Sequence, residues 1–226
     1  MTDFPLLIAI DGTAGAGKGT LARALAAHYH LAHLDTGLLY RALGWAVLAQ
    51  HEDPSNSEAA IRVAHSLGTL DLNNPNLRDE EVGLAASHVA AIPEVRTLLL
   101  DYQHEFAAHP PKGMHGCVMD GRDIGRVVLP HAQCKIYVSA SPEVRAQRRC
   151  KELQEKGIPC IYDTILADIK DRDARDQTRK VSPLCPTEDA FVLDTSSLTI
   201  EEVIQKACAF VDAKMQERSA SLVQTV

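Results

Sequence analysis

An α/β fold, with a parallel sheet covered by helices on both faces, follows from two features of the chain. Short apolar runs alternate with stretches of helical periodicity, and the first such run enters a helix through a glycine-rich loop. The 226 residues, 46% of them hydrophobic, can bury a sizeable core without disulfides or metals, as one α/β domain with an appended subdomain or at most two small domains.

Pro5–Ile10 is an apolar run closed by Asp11 and Gly12, which predicts a buried parallel strand. Leu21, Ala22, Leu25 and Ala26 recur at helical spacing between Lys18 and His28. A short run at Leu31–Leu34 predicts a second strand, and Leu39, Leu43, Ala46 and Val47 mark a helix from Leu38 to Gln50. Pro54 and its polar neighbours end it. Glu58 to His109 reads as mostly helical, interrupted near Asp71–Glu80, and His109-Pro110-Pro111-Lys112-Gly113 is the clearest loop. Cys117–Met119 entering Asp120, Lys135–Val138 and Ala190–Leu193 predict the third, fourth and fifth strands. Helices at Pro142–Lys156 and Tyr162–Arg175 separate the last two strands. A helix at Ile200–Gln216 ends the fold, followed by a frayed polar tail.

Lys+Arg 23 against Asp+Glu 30 gives a net charge of −7, and only 4% of residues are aromatic. Nucleic-acid surfaces need the opposite charge balance and more stacking platforms, so no nucleic-acid partner is expected. No apolar run reaches the roughly 18–20 residues a bilayer span requires, so no membrane association is expected. The start MTDFPLLIAIDG carries an acid where a secretory leader has a basic segment. A cytoplasmic protein is the expectation. The six cysteines are scattered without a CxxC, and the ten histidines form no HExxH, so reduced structural thiols and no zinc site are expected.

Gly12, Thr13, Ala14, Gly15, Ala16, Gly17, Lys18, Gly19 and Thr20 fit G-x-x-x-x-G-K between a strand and a helix. Glycines let main-chain N–H groups turn toward phosphate oxygens, the helix start adds partial positive charge, and Lys18 adds a full one. Gly19 stands where many such loops carry Ser or Thr, and the hydroxyl follows at Thr20. A guanine-reading N-K-x-D is absent. The second strand ends Leu34-Asp35-Thr36-Gly37, without the D-x-D of a shikimate-type kinase. A small-molecule phosphoryl acceptor of another sort remains.

Transfer between two anionic nucleotides needs cationic donors spread over the moving group, and arginine grips phosphate bidentately. Asp120-Gly121-Arg122-Asp123-Ile124-Gly125 follows the third strand, at the sheet end where ligands bind in such folds. The same residues would also make a tight turn with a local ion pair. Arg172, Asp176 and Arg179, with Arg175 beside them, fall along one helical stripe: a solvated face or a lid edge over phosphates. Thr36 or Asp35 can cap the second helix, with Arg41 one turn in. Ser87 and Arg96 fall on helices where spacing alone makes them surface residues.

Together IDGTAGAGKGT, LDTGLLYR, AASHVAAIPEVR, DGRDIG and IKDRDARDQTR resemble the bacterial cytidylate kinase family, in that family's order and over nearly the whole chain, from Leu6 to Lys214. The resemblance implies a three-layer phosphate-loop fold with a five-stranded parallel sheet. It places the core in 1–37, 110–147 and 173–226, a monophosphate-binding subdomain in 38–109 and a lid in 148–172. It implies phosphoryl transfer from ATP to CMP, with dCMP a second acceptor, in pyrimidine nucleotide metabolism, by a monomer. Mg²⁺ would accompany ATP, with Thr20 as its protein contact. Lys18, Arg122, Arg172 and Arg179 would be catalytic. Tyr40 would line the CMP site. Arg41 and Arg122 would contact the acceptor phosphate; Thr36, Arg96, Asp123 and Arg179 would surround the cytosine and its phosphate end. Ser87, Arg172 and Asp176 would hold the sugar. Thr36 replaces the family's usual serine, and the insertion near Asp71–Glu80 is short, so the family's small extra sheet is not expected. UMP or AMP kinases, and a module that binds ATP without transfer, are the alternatives.

Overall fold

The computed structural model describes residues 5–179 and 182–223, with side chains through 220. The first four residues, on which the reading of the chain start depends, Lys180 and Val181 of the expected core segment, and the last three residues of the expected tail lie outside it. Contacts divide the chain into one unit running to Leu34 and resuming at Pro110, and a second spanning Asp35–His109.

The first unit is built on a five-stranded sheet of order β2-β3-β1-β4-β5. The strands are β1 (Leu6–Gly12), β2 (Ala32–Asp35), β3 (Gly116–Asp120), β4 (Cys134–Ser139) and β5 (Phe191–Asp194). β1 runs parallel to both β3 and β4, its Ile10 opposite Asp120 and Ile136, and β4 runs parallel to β5. Helices α1 (Lys18–Tyr29) and α8 (Ile200–Val223) cover one face. Leu21, Leu25, Val203, Ala207 and Val211 pack there on Ile8, Ile10, Val118, Ile136 and Leu193. Each large aliphatic buried this way contributes about 1.5–3 kcal/mol.

Helices α6 (Pro142–Glu155) and α7 (Tyr162–Thr178) form a hairpin around Ala146, Cys150, Leu153 and Ile165. Ser141 starts α6 by accepting from the Val144 N–H at 3.3 Å, with proline at the first helical position. The expectation of a frayed tail after Gln216 is corrected: α8 continues to Val223. Lys214 pairs with Glu217 at 2.9 Å, and the Ser219 hydroxyl donates to the Met215 carbonyl at 3.0 Å, so the polar composition supports rather than ends the helix.

The second unit is helical beyond Asp35, the last residue of β2. It comprises α2 (Thr36–Ala49), α3 (Ser57–Ala64), α4 (Glu80–Val89) and α5 (Pro93–Ala108), with two short 3-10 turns at Leu67–Thr69 and Pro75–Arg78. Of the two candidate caps for α2, Asp35 does the capping, accepting from Leu38 N–H at 3.2 Å. α2 and α4 cross closely at Gly44, where a Cβ would stand 2.9 Å from that of Ala85.

Candidate active site

The phosphate loop leaves β1 at Gly12, where a Cβ would lie 1.9 Å from the Val138 carbonyl oxygen; only glycine fits. Gly17, at φ 95°, starts α1 without a side-chain cap, so no side chain competes for the first N–H groups of that helix. The Lys18 ammonium donates to the Thr13 carbonyl at 2.8 Å and is buried. Burial first, then the Arg122 and Arg172 guanidiniums, push Lys18 down to about 7, against the pull of Asp120 and Asp11. The buried Thr13 hydroxyl has no hydrogen-bond partner among the described residues. A depressed lysine and an orphaned hydroxyl in a glycine-rich loop fit an incoming polyphosphate.

Behind the loop, Asp176 of α7 is 1% exposed and gathers two arginines. Arg122 donates Nε to its Oδ2 at 2.8 Å, and Arg179 closes onto its Oδ1. Burial pushes the Asp176 carboxyl up, but Arg122 and Arg179 together outweigh it and hold the group below the usual carboxylate range. The solvated-face alternative for this stripe is thereby corrected. Arg175 alone is exposed, and Arg179 stands just past the helix in extended conformation, folding back on Asp176. Asp123 is buried at the start of a single π-helical turn, Ile124–Val128. Asp11 anchors that turn, accepting from the Ile124 and Gly125 N–H groups at 2.7 and 2.8 Å. Burial raises Asp11 to about 6 despite those bonds.

Beside the loop, Gly15, Gly17 and Thr20 on one side and Leu198, Ile200 and Val203 on the other line a half-open pocket of about 360 Å³. That volume lies in the range of small-molecule sites. Its rim is fixed by Arg148, which donates to the Thr195 carbonyl at 2.6 Å and to its hydroxyl at 3.1 Å, while that hydroxyl donates to the Ala16 carbonyl. Thr20 lines this cavity, its hydroxyl 3.5 Å from Arg23 Nη2.

In the second unit, Thr36 is buried at the first position of α2. Arg41 donates Nη1 to the Leu77 and Asp79 carbonyls at 2.7 and 3.0 Å and lies against Gly83, where a Cβ would stand 2.7 Å from Nη2. Arg96 places its guanidinium 5.8 Å from the Tyr40 ring centroid, within cation–π range, and donates to the Ala90 carbonyl at 3.3 Å. Ser87 is half-buried on α4. Of the sequence candidates, Lys18, Arg122, Arg172, Asp176 and Arg179 are thus electrostatically coupled within the first unit, and Tyr40 and Arg96 meet within the second.

Sequence reasoning assigned no role to Asp11, His33, Asp120, Arg145 or Thr195. A usable signal existed for two of them: Ile10-Asp11-Gly12 and Met119-Asp120-Gly121 both set a carboxylate at the carboxyl end of a buried strand.

A phosphate loop with its lysine buried beside clustered arginines, at the strand ends of a parallel sheet, defines a phosphate-loop phosphotransferase. The family model described as cytidylate kinase matches residues 8–213, and the chain belongs to that family. A cytidylate kinase of Paramagnetospirillum magneticum is 53% identical over 208 residues, covering 92% of this chain and 98% of that protein. One of Xanthobacter autotrophicus is 52% identical over 213 residues, covering 94% and 100%. A solved structure of an uncharacterized protein from Eubacterium ventriosum shares the fold with TM-score 0.51 at 14% identity, over 92% of this chain and 98% of that one. The function is that of a cytidylate kinase, an ATP-dependent nucleoside monophosphate kinase. Among the described residues no helix is long and apolar enough to cross a membrane.

Proposed function

We propose that the chain transfers the γ-phosphoryl group of ATP in line to the α-phosphate of CMP, with dCMP as a second acceptor. The observation that carries this reading is Lys18, a buried lysine lowered to about 7 next to two arginines. Such a cluster is costly until an anion fills it, and a polyphosphate restores the full positive charge. The acceptor phosphate is already anionic at neutral pH, so no general base is required; positioning and charge compensation carry the catalysis.

The loop amides and Lys18 hold the β- and γ-phosphates, and the cavity beside Thr20 takes the adenine. Arg122, Arg172 and Arg179 spread positive charge over the transferred group. Asp123 accepts from the exocyclic amino group of cytosine and disfavours the carbonyl of uracil. Arg41 takes the acceptor phosphate, Thr36, Tyr40 and Arg96 the base end, and Ser87 and Asp176 the sugar. Segment 38–109 serves as the monophosphate-binding part and 148–172 as the lid that excludes water, in a cytoplasmic monomer that binds neither nucleic acid nor membrane.

Mg²⁺ bound with ATP would supply charge neutralisation to the polyphosphate. No cluster of three or more ligating side chains exists among the described residues, which suits an ion held by phosphates, water and one carboxylate. Thr20 faces the base cavity, whereas buried Asp120 is near enough to Lys18 to act on its charge. Asp120, whose Oδ2 faces the start of α1 beside Lys18, is our choice of protein contact for the ion in place of Thr20.

The test is ADP release with CMP, dCMP, UMP and AMP side by side, for wild type and Lys18→Ala. CMP and dCMP should turn over well ahead of the others and Lys18→Ala should be inactive. Equal turnover of UMP would remove the role given to Asp123.

A further inference from the structure

Asp120 ends β3 directly across from Ile10, two residues before the phosphate loop. Its two carboxylate oxygens have different surroundings. Oδ1 lies 2.7 Å from Nε2 of His33 on the neighbouring edge strand β2. Oδ2 is turned toward the start of α1, 3.9 Å from where a Cβ on Gly19 would stand. A carboxylate only accepts, so the His33 ring carries its proton on Nε2 and donates. That donor acts directly on the carboxylate's terminal torsion, which is a broad, soft coordinate.

Gly19 sharpens the consequence. With no hydroxyl directly after Lys18, the loop lacks the Ser or Thr that commonly reaches Mg²⁺ in phosphate-loop proteins, and the absent side chain leaves Asp120 Oδ2 facing the loop. We propose that His33 is a positioning residue for the reaction: it locks the Asp120 carboxylate in the rotamer that presents Oδ2 to the hydrated Mg²⁺ accompanying ATP. The inference rests on the reading of Asp120 as the protein contact for the ion. His33 supplies orientation to an acidic group, as an outer partner does around metal ligands generally. The pairing joins two adjacent strands of the same sheet, so rigid backbone holds both partners.

The experiment compares wild type, His33→Leu, His33→Gln and Asp120→Asn, each checked by thermal melting. ATP is titrated calorimetrically without acceptor, once with Mg²⁺ and once in excess EDTA. The readout is the gain in ATP affinity that Mg²⁺ confers. Asp120→Asn should shrink that gain; His33→Leu should shrink it by about ten-fold with metal-free ATP affinity unchanged; His33→Gln, which keeps a donor near Nε2, should recover most of it. In turnover, His33→Leu should lower kcat at moderate Mg²⁺ while leaving the KM for CMP unchanged. If Asp120→Asn shrinks the gain and His33→Leu does not, the positioning role falls while the reading of Asp120 stands. If neither variant changes it, both fall. Equal losses with and without Mg²⁺, unrescued by glutamine, would reduce His33 to a structural residue and overturn the proposal.

Discussion

Arg145 reaches from α6 to the phosphate loop and donates Nη1 to the Ala14 carbonyl at 3.1 Å. The same buried guanidinium donates Nε to the Ala140 carbonyl at 2.9 Å and forms a two-pronged pair with Asp173 of α7. One side chain therefore ties the loop, the end of β4 and the helical hairpin together. Arg145→Met keeps the bulk but strands two carbonyls and a carboxylate. Breaking a buried pair costs about 3–5 kcal/mol; Asp173 is partly exposed and relaxes into water, which places the expected loss near 3. ATP affinity should fall as well, because the loop loses a tether. Arg149→Met removes only a surface pair with Glu152 and should cost under about 1 kcal/mol. Urea unfolding of both variants checks this, and equal losses would contradict it.

Asp11 supports the turn that carries Asp123. Its carboxyl is raised to about 6 from an ordinary 3.8, chiefly by burial. The folded state therefore keeps a proton that the unfolded chain releases between about pH 4 and 6. The group's contribution is fully present below pH 4 and is lost as pH rises through 6, a change on the order of 3 kcal/mol. Asp11→Asn lacks this titration, although its amide can accept from only one of the two N–H groups it faces. The stability difference, wild type minus Asp11→Asn, should fall across pH 4 to 6. A flat difference in paired denaturation curves would refute the assignment.

The sheet was legible because each strand is a short apolar run bounded by turn residues; all five expected strands formed within two residues of their bounds. The phosphate loop was equally plain, since its glycines and lysine are contiguous. What spacing could not supply was pairing across the sheet. Nothing local in Pro142–Cys150 says that Arg145 points inward under a loop 131 residues away while Arg149, half-buried, pairs with Glu152 of its own helix. Asp176 looked like one charge on a solvated stripe because its main partner, Arg122, comes from 54 residues earlier. The tail after Gln216 was misjudged for the opposite reason: its polar residues bond along the helix instead of needing a core.

Asp176 sets where Arg122 and Arg179 stand, so removing its charge should misplace both. Asp176→Asn keeps the shape but leaves two guanidiniums without their shared counter-charge in a buried place. The expected result is a KM for CMP raised by ten-fold or more and a lowered kcat, since charge-assisted hydrogen bonds are worth about 1.5–3 kcal/mol each. ATP affinity without acceptor should change little. A variant whose ATP affinity falls as far as its CMP affinity would show that Asp176 supports the fold of the whole site and not the arginines facing the acceptor.

Lys18 stands between stability and function. Its value is lowered from 10.5 to about 7, so the folded, nucleotide-free chain binds fewer protons than the unfolded chain between pH 7 and 10.5. Stability attributable to this group therefore rises with pH across that window, and the burden of a buried ammonium beside Arg122 and Arg172 is full below pH 7. That burden is on the order of 5 kcal/mol. Lys18→Met removes it at the expense of the bond to the Thr13 carbonyl, which is worth about 1–3 kcal/mol when left unmade. The first magnitude exceeds the second, so the variant should be more stable than wild type at pH 6, with the advantage shrinking by pH 9. Phosphoryl transfer should drop by about 10³-fold or more. Urea midpoints without nucleotide at the two pH values, beside a CMP assay, decide the matter: a variant less stable at pH 6, or an advantage independent of pH, would mean that the ammonium is accommodated without strain and that the loop is not poised for an anion.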